Sequence, residues 1–288
     1  MLDEALKAAY LKRLGLESEP PTAESLRRLH QRHVERVAYE TLWIHSGENW
    51  GLDPIASARR IALYGRGGYC YHLNGAFAEL LDSLGYDVHR HVGGVHGPGG
   101  PDAVATGNHL VLTVAGLPTE TNQSGAWYVD AGLGDALYEP MPLMAGEYRQ
   151  DPFTLQLTCA QGAAGGWHLK HDPRGGFAGM AWTDADAAWS DFAVQHNYLS
   201  TSLDSGFVRI GMAQCRDSTG VDVVRGLTVI RIGSDTRSSE PLTHRQEWLD
   251  ALRELCGLHF DAAPPEVLDR LWDRTVANHR SWEEAGRP

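Results

Sequence analysis

Residues 66–74 read Arg-Gly-Gly-Tyr-Cys-Tyr-His-Leu-Asn and run directly into an apolar periodicity. Ala76, Phe77, Leu80, Leu81 and Leu84 recur at helical spacing, and Gly85 supplies a stop. The string therefore predicts a helix that opens at Cys70 behind a paired-glycine turn. A thiol in the first turn of a helix sees unpaired N–H groups and the positive end of the dipole. Both favour thiolate, the nucleophilic form. Gly67 and Gly68 suit a turn that another backbone or a substrate approaches closely. A cysteine taken at random is most often a small buried residue. Cys159, Cys215 and Cys256 lack the helix-start context that sets Cys70 apart.

Candidate partners for that thiol follow in the chain. Asn108-His109-Leu110-Val111-Leu112-Thr113-Val114 opens with His109 and continues as a β-rich apolar run. Gly116–Gly125 is polar and turn-rich, and Ala126-Trp127-Tyr128-Val129-Asp130 reads as a second strand stopped by Ala131-Gly132-Leu133-Gly134. Two strands joined by a surface loop most simply form an antiparallel hairpin. Such a hairpin puts the first residue of one strand near the last of the next. The pattern predicts the His109 imidazole beside the Asp130 carboxylate at one end of a sheet. Asp130 would orient the ring, and His109 would take the Cys70 proton.

The segments 66–74, 108–112 and Val129-Asp130-Ala131-Gly132-Leu133-Gly134, in this order and spacing, resemble the arylamine N-acetyltransferase family. Val37-Ala38-Tyr39-Glu40-Thr41-Leu42 resembles that family's Pro-Phe-Glu-Asn-Leu stretch. Asn197-Tyr198-Leu199-Ser200-Thr201-Ser202 resembles its Asn-Xaa-Xaa-Xaa-Ser-Thr-Ser segment. The resemblance covers nearly the whole chain. It implies an α+β fold of an N-terminal helical bundle, a central β-barrel and a C-terminal α/β lid, with a cysteine-protease-like catalytic core. It implies a Cys70-His109-Asp130 triad that carries an acetyl group from acetyl-CoA to an arylamine or hydrazine, and a role in xenobiotic metabolism. It places Thr106, Gly107 and Tyr198 as cofactor contacts, and Tyr39, Tyr71, Val95, Leu133 and Phe207 are expected in the substrate pocket. The chain departs from the family at His72, where many bacterial members have Glu, at Leu133 for the usual Phe, and at Tyr39 for Phe. The last two bear on the acceptor.

Amide synthases that close polyketide macrolactams resemble the same family, and Leu133 would fit a reshaped acyl slot. A Cys-His-Asp hydrolase of papain or transglutaminase type uses the same residue order. A CoA-binding scaffold would leave the three residues without a purpose.

A chain of 288 residues allows two or three packed units and a large core. Net charge is −12 with no basic cluster, which argues against nucleic acid and anionic membrane surfaces. No apolar run approaches the roughly 18 residues of a membrane span. The N-terminus, with Asp3 and Glu4, does not read as a signal peptide. The four cysteines show no paired spacing, so the expectation is free thiols in a cytoplasmic compartment. Homo-oligomerisation is left open.

Three regions follow from periodicity. Residues 1–85 are helical, with Leu6, Tyr10 and Leu14 marking one helix, Thr22 capping a second, and 53–63 forming a third. Residues 86–201 read as short β-rich runs, as in a barrel. Residues 202–288 are mixed, with strand character over 221–232 and helices over 245–255 and 264–278.

His89–Asp102, rich in Gly and Pro, reads as a mobile loop. Gly97-Pro98-Gly99-Gly100-Pro101 lacks the Lys and Ser/Thr of a phosphate loop. His89, His91 and His96 offer a metal alternative, but no second cluster completes a ligand set, and no metal is expected. His72 falls on the wrong side of a helix to serve Cys70. Arg66 is expected as a structural ion-pair partner of Glu40.

Overall fold

The computed structural model describes residues 1–97, 104–160, 165–261 and 263–286. Its first layer comprises α1 (Glu4–Leu14), α2 (Ala23–Arg36), β1 (Tyr39–Glu40), α3 (Leu42–Ser46), α4 (Pro54–Tyr64) and α5 (Cys70–Ser83). Local chemistry sets these limits. The Asp3 carboxylate accepts from the Leu6 N–H to start α1. Thr22 and Ser25 form a reciprocal capping box on α2. Asp53 caps α4, with Pro54 at its first position. Helix α5 is the centre of this layer. Leu73, Phe77, Leu80 and Leu81 are wholly buried, and the helix packs between α4 and the first strands of the next layer.

That layer is an eight-stranded antiparallel sheet curled into a near-closed barrel. Its strands are β2 (Asp87–His96), β3 (His109–Ala115), β4 (Trp127–Val129), β5 (Met141–Pro142), β6 (Gly146–Gln150), β7 (Phe153–Cys159), β8 (Trp167–Lys170) and β9 (Gly179–Asp186). The spatial order is β5-β4-β3-β2-β9-β8-β7-β6. Alternation fills its interior, as Phe153, Leu155 and Leu157 of β7 are buried while Gln156 and Thr158 face out.

Two expectations are corrected here. His89–His96 is not a mobile loop but the body of β2, the strand that pairs with both β3 and β9. Its glycines mark close packing: a Cβ on Gly94 would lie 1.8 Å from the Val104 carbonyl oxygen. The rest of that stretch, including most of the Gly-Pro run 97–101, lies outside the described residues. The β-rich run expected to reach about 201 ends at Asp186. Trp189–Phe192 is a 3-10 turn, followed by α6 (Ala193–Thr201) and α7 (Gly206–Arg209). Helix α6 buries none of its residues, so it carries no apolar stripe for periodicity to detect.

The last layer holds β10 (Met212–Asp217), β11 (Gly220–Arg225), β12 (Thr228–Gly233), β13 (Arg237–Pro241), α8 (Arg245–Cys256) and α9 (Pro265–Glu284). Its five-stranded sheet runs β1-β10-β11-β12-β13. The first strand of that sheet comes from the helical layer, with Tyr39 opposite Gln214 and Glu40 opposite Ala213. The layers are therefore interlocked across more than 170 residues of sequence. Arg66 clamps the crossing point, with Nε and Nη2 donating to the two oxygens of the fully buried Glu40 at 2.7 and 3.0 Å. Loss of one member of such a buried pair costs about 3–5 kcal/mol. No helix among the described residues is long and apolar enough to cross a membrane.

Candidate active site

Cys70 is the first residue of α5, behind Tyr69 as N-cap. The turn before it is held by β1: the Glu40 N–H donates to the Gly68 carbonyl at 2.9 Å. A Cβ on Gly67 would lie 1.8 Å from the Ala38 carbonyl oxygen, so only glycine admits this strand. The Cys70 side chain is 4% exposed, and its thiol points at the Asn108 carbonyl, 3.6 Å away.

The barrel edge supplies the next two groups. Leu112 pairs with Val129 and Thr113 with Tyr128. Extending that register sets Val111 opposite Asp130, and His109 lies one pleat further along the same face. Diagonal neighbours on one face are within reach of each other, and His109 Nε2 donates to Asp130 Oδ2 at 2.8 Å. That bond leaves Nδ1 for the thiol. Burial pulls the His109 ring down. The negative charges of Asp130 and Cys70, with a hydrogen bond to each, outweigh burial and hold its pKa up at about 10.

Asp130 is almost fully buried and saturated. Tyr128 Oη donates to its Oδ2 at 2.9 Å, and Asn74 Nδ2 and the Gly132 N–H donate to Oδ1 at 2.7 and 3.0 Å. Asn74 also donates to the Leu110 carbonyl and accepts from the Ala131 N–H. This one amide ties the Cys70 helix to the strands that carry His109 and Asp130. Neither Asn74 nor Tyr128 was assigned a role from sequence. Asn74 stands one helical turn after Cys70, a spacing that would have placed both on one face.

The thiol opens onto a cavity of about 230 Å³. Of the expected pocket residues, Tyr39, Val95, Leu133 and Phe207 line it. Tyr71 does not. It sits one residue past Cys70, rotated about 100° around the helix, and its hydroxyl donates to the buried Gly107 carbonyl at 2.6 Å. Thr106, Gly107 and Tyr198 also lie outside the cavity lining. Tyr198 is exposed on α6, whose Leu199 lines the cavity instead. Burial keeps the Tyr39 hydroxyl protonated.

Asp135 and Gln214 also line the cavity, and sequence reading assigned neither. Asp135 is 3% exposed and accepts the Gly176 N–H at 2.5 Å. No Lys or Arg is among the described residues of the lining.

His72 lies away from the cavity, edge-on to Tyr69 and Trp43, where burial holds its pKa well down. His91 is engaged by Thr113 at 2.8 Å, and His89 faces Asp186. Among the described residues no cluster of three or more His, Cys, Asp or Glu is placed to hold a metal.

N-terminal helices, a near-closed antiparallel barrel and a C-terminal sheet with helices make an α+β fold, in which a helix-start cysteine meets a His–Asp pair at the barrel edge. A family model described as N-acetyltransferase matches residues 22–264. An arylamine N-acetyltransferase of Mycolicibacterium smegmatis is 33% identical over 286 residues, covering 92% of this chain and 89% of that one. A pineal-gland isozyme of Gallus gallus is 33% identical over 155 residues; the chain spans about half that relative's length, 50%. The solved M. smegmatis arylamine N-acetyltransferase superposes with a TM-score of 0.81 at 26% identity, covering 95% and 98% of the two chains. That of Mycobacterium marinum in complex with CoA gives 0.80 at 26% identity, covering 93% and 97%. The chain belongs to the arylamine N-acetyltransferase family.

Proposed function

We propose that the protein transfers the acetyl group of acetyl-CoA to a small arylamine or arylhydrazine through an acyl-cysteine at Cys70. The observation that carries this reading is the His109–Asp130 contact of 2.8 Å beside a helix-start thiol in a cavity. The Cys70 thiolate attacks the thioester carbonyl, with the developing oxyanion met by N–H groups at the start of α5. The carbon–sulfur bond to CoA breaks, and His109 gives its proton to the departing thiolate. The amine then attacks the acyl-cysteine, His109 takes a proton from nitrogen, and the Cys70 thiolate is released. The two half-reactions share one site, so kinetics are ping-pong.

We place the acetyl thioester in the cavity at Cys70. We place Thr106, Gly107 and Tyr198, outside the lining of that cavity, as contacts for the more distant parts of CoA. The M. marinum relative, solved with CoA, supports the cosubstrate. The four cysteines form no disulfide, which supports a reducing, cytoplasmic setting.

Volume supports this reading over macrolactam closure. Sites for drug-sized ligands measure roughly 300–1,000 Å³. A cavity of about 230 Å³ suits a single ring better than a polyketide chain.

Incubation with acetyl-CoA in the absence of amine is expected to release one CoA per chain and leave one acetyl group on Cys70, read by peptide mass mapping. Release that waits for amine, or acetyl at another residue, contradicts the acyl-enzyme.

The lining also sets acceptor preference. Asp135 is a buried acidic side chain in a wall that holds no Lys or Arg among the described residues, with His171 Nε2 3.6 Å from its Oδ1. A second carboxylate on the acceptor meets like charge at low dielectric and is disfavoured. Asp135→Asn retains an oxygen for the Gly176 N–H and removes the charge. We expect it to raise kcat/KM for 4-aminobenzoate about tenfold relative to aniline, equal to ~1.4 kcal/mol. An unchanged ratio across the two acceptors contradicts the role of Asp135.

A further inference from the structure

We propose that a second cavity, behind helix α7, binds an amphipathic organic oxyanion: an aromatic or short aliphatic body carrying a carboxylate or sulfonate. The cavity measures about 420 Å³, within the roughly 300–1,000 Å³ of small-molecule sites. Three guanidinium groups line it, from Arg209 of α7, Arg225 of β11 and Arg274 of α9, and no Asp or Glu is among the described residues of its lining. The chain as a whole carries a net charge of −12, so this convergence runs against its general character.

Among the described residues, the hydrogen-bond partners of these groups carry no negative charge. Arg209 Nη2 donates to the Asp204 carbonyl at 2.8 Å and Arg274 Nη1 to the Ile44 carbonyl at 3.1 Å. Arg225 lies over the Trp282 ring, 5.5 Å from its centroid, and its buried Nε has no hydrogen-bond partner. Neutral carbonyls and a ring face satisfy some donors and no charge. Like charges around a half-enclosed cavity repel. An oxyanion relieves that repulsion and matches the paired donors of a guanidinium.

The remaining walls choose the body of the ligand. Val208, Ile210 and Trp282 are apolar, and Leu203 at the rim is 82% exposed. A bare inorganic anion leaves this surface wet; a ring or short chain covers it. The site is separate from the first cavity. Phe207 of α7 faces the candidate active site, while Gly206, Val208 and Arg209 of the same turn face this one. It does not depend on acetyl transfer.

The test uses the full chain with Cys70 carbamidomethylated, so that the first cavity is blocked. Calorimetric titration with 1-anilinonaphthalene-8-sulfonate is expected to show one site, displaced by salicylate but not by equal concentrations of CoA or inorganic phosphate. Arg225→Gln and Trp282→Ala are each expected to weaken probe binding tenfold or more, and Arg237→Gln on exposed β13 to leave it unchanged. Three results overturn the proposal: no binding to the blocked wild type, displacement by CoA, or displacement by inorganic phosphate. The first needs no variant to fold. Arg225→Gln with unaltered melting and unaltered affinity also overturns it.

Discussion

Cys70→Ser keeps its fold and loses acetyl transfer, with turnover expected to fall on the order of 10⁴ or more, the scale on which single members of such triads act. The cause is ionisation rather than shape. Serine is close to isosteric with cysteine, so α5, its N-cap at Tyr69 and the contact with Asn108 persist. The hydroxyl holds its proton far more tightly than a thiol. With the Cys70 charge and hydrogen bond gone, part of what holds the His109 imidazolium is lost too, and the hydroxyl stays protonated beside it. Turnover and acyl-enzyme mass measure the effect. Substantial turnover with normal circular dichroism would falsify the assignment of Cys70. Cys159→Ala, Cys215→Ala and Cys256→Ala are expected to remain active, because none of those thiols lines the cavity.

Asp130→Asn is expected to cost a comparable amount, on the order of 10⁴ in turnover, by analogy with the Asp-to-Asn change in serine-protease triads. Asp130 accepts four hydrogen bonds, from His109, Tyr128, Asn74 and Gly132. An amide presents its own NH₂ to two of those donors and removes the charge that holds the ring up. The sign of the pH effect follows. In the wild type the imidazolium is present through neutral pH and is lost as pH rises through about 10. Without the Asp130 charge, burial dominates and the ring titrates lower, so at pH 7 it no longer supports a thiolate partner. Iodoacetamide alkylation of Cys70 at pH 7 is therefore slower in Asp130→Asn. A pH–rate curve for both proteins decides: a shared curve, or a turnover loss below tenfold in a folded variant, reduces Asp130 to a turn residue.

The sequence by itself determined the parts of this protein governed by short-range physics. Helix α5 begins at Cys70 because a glycine pair, an apolar period and a glycine stop are all contained within 67–85. His109 lies beside Asp130 because two β-rich runs separated by a turn-rich loop pair most simply as a hairpin. The diagonal offset between them was not legible, since register depends on which face the barrel buries.

Tertiary structure alone decided the rest. Residues 193–201 are helical with no buried face, so nothing in their pattern announces a helix. The glycines of 89–96 belong to a strand because Val104 and Val111 pack against them, contacts that no local pattern announces. Tyr39, Asp135, Phe207 and Gln214 reach one cavity from three layers, brought there by β1 crossing to pair with β10. Arg209, Arg225 and Arg274 converge in the same non-local way. Propensity and periodicity act over one or two turns of chain. A cavity wall is assembled from contacts between residues more than a hundred positions apart, and no local period encodes which of them will meet.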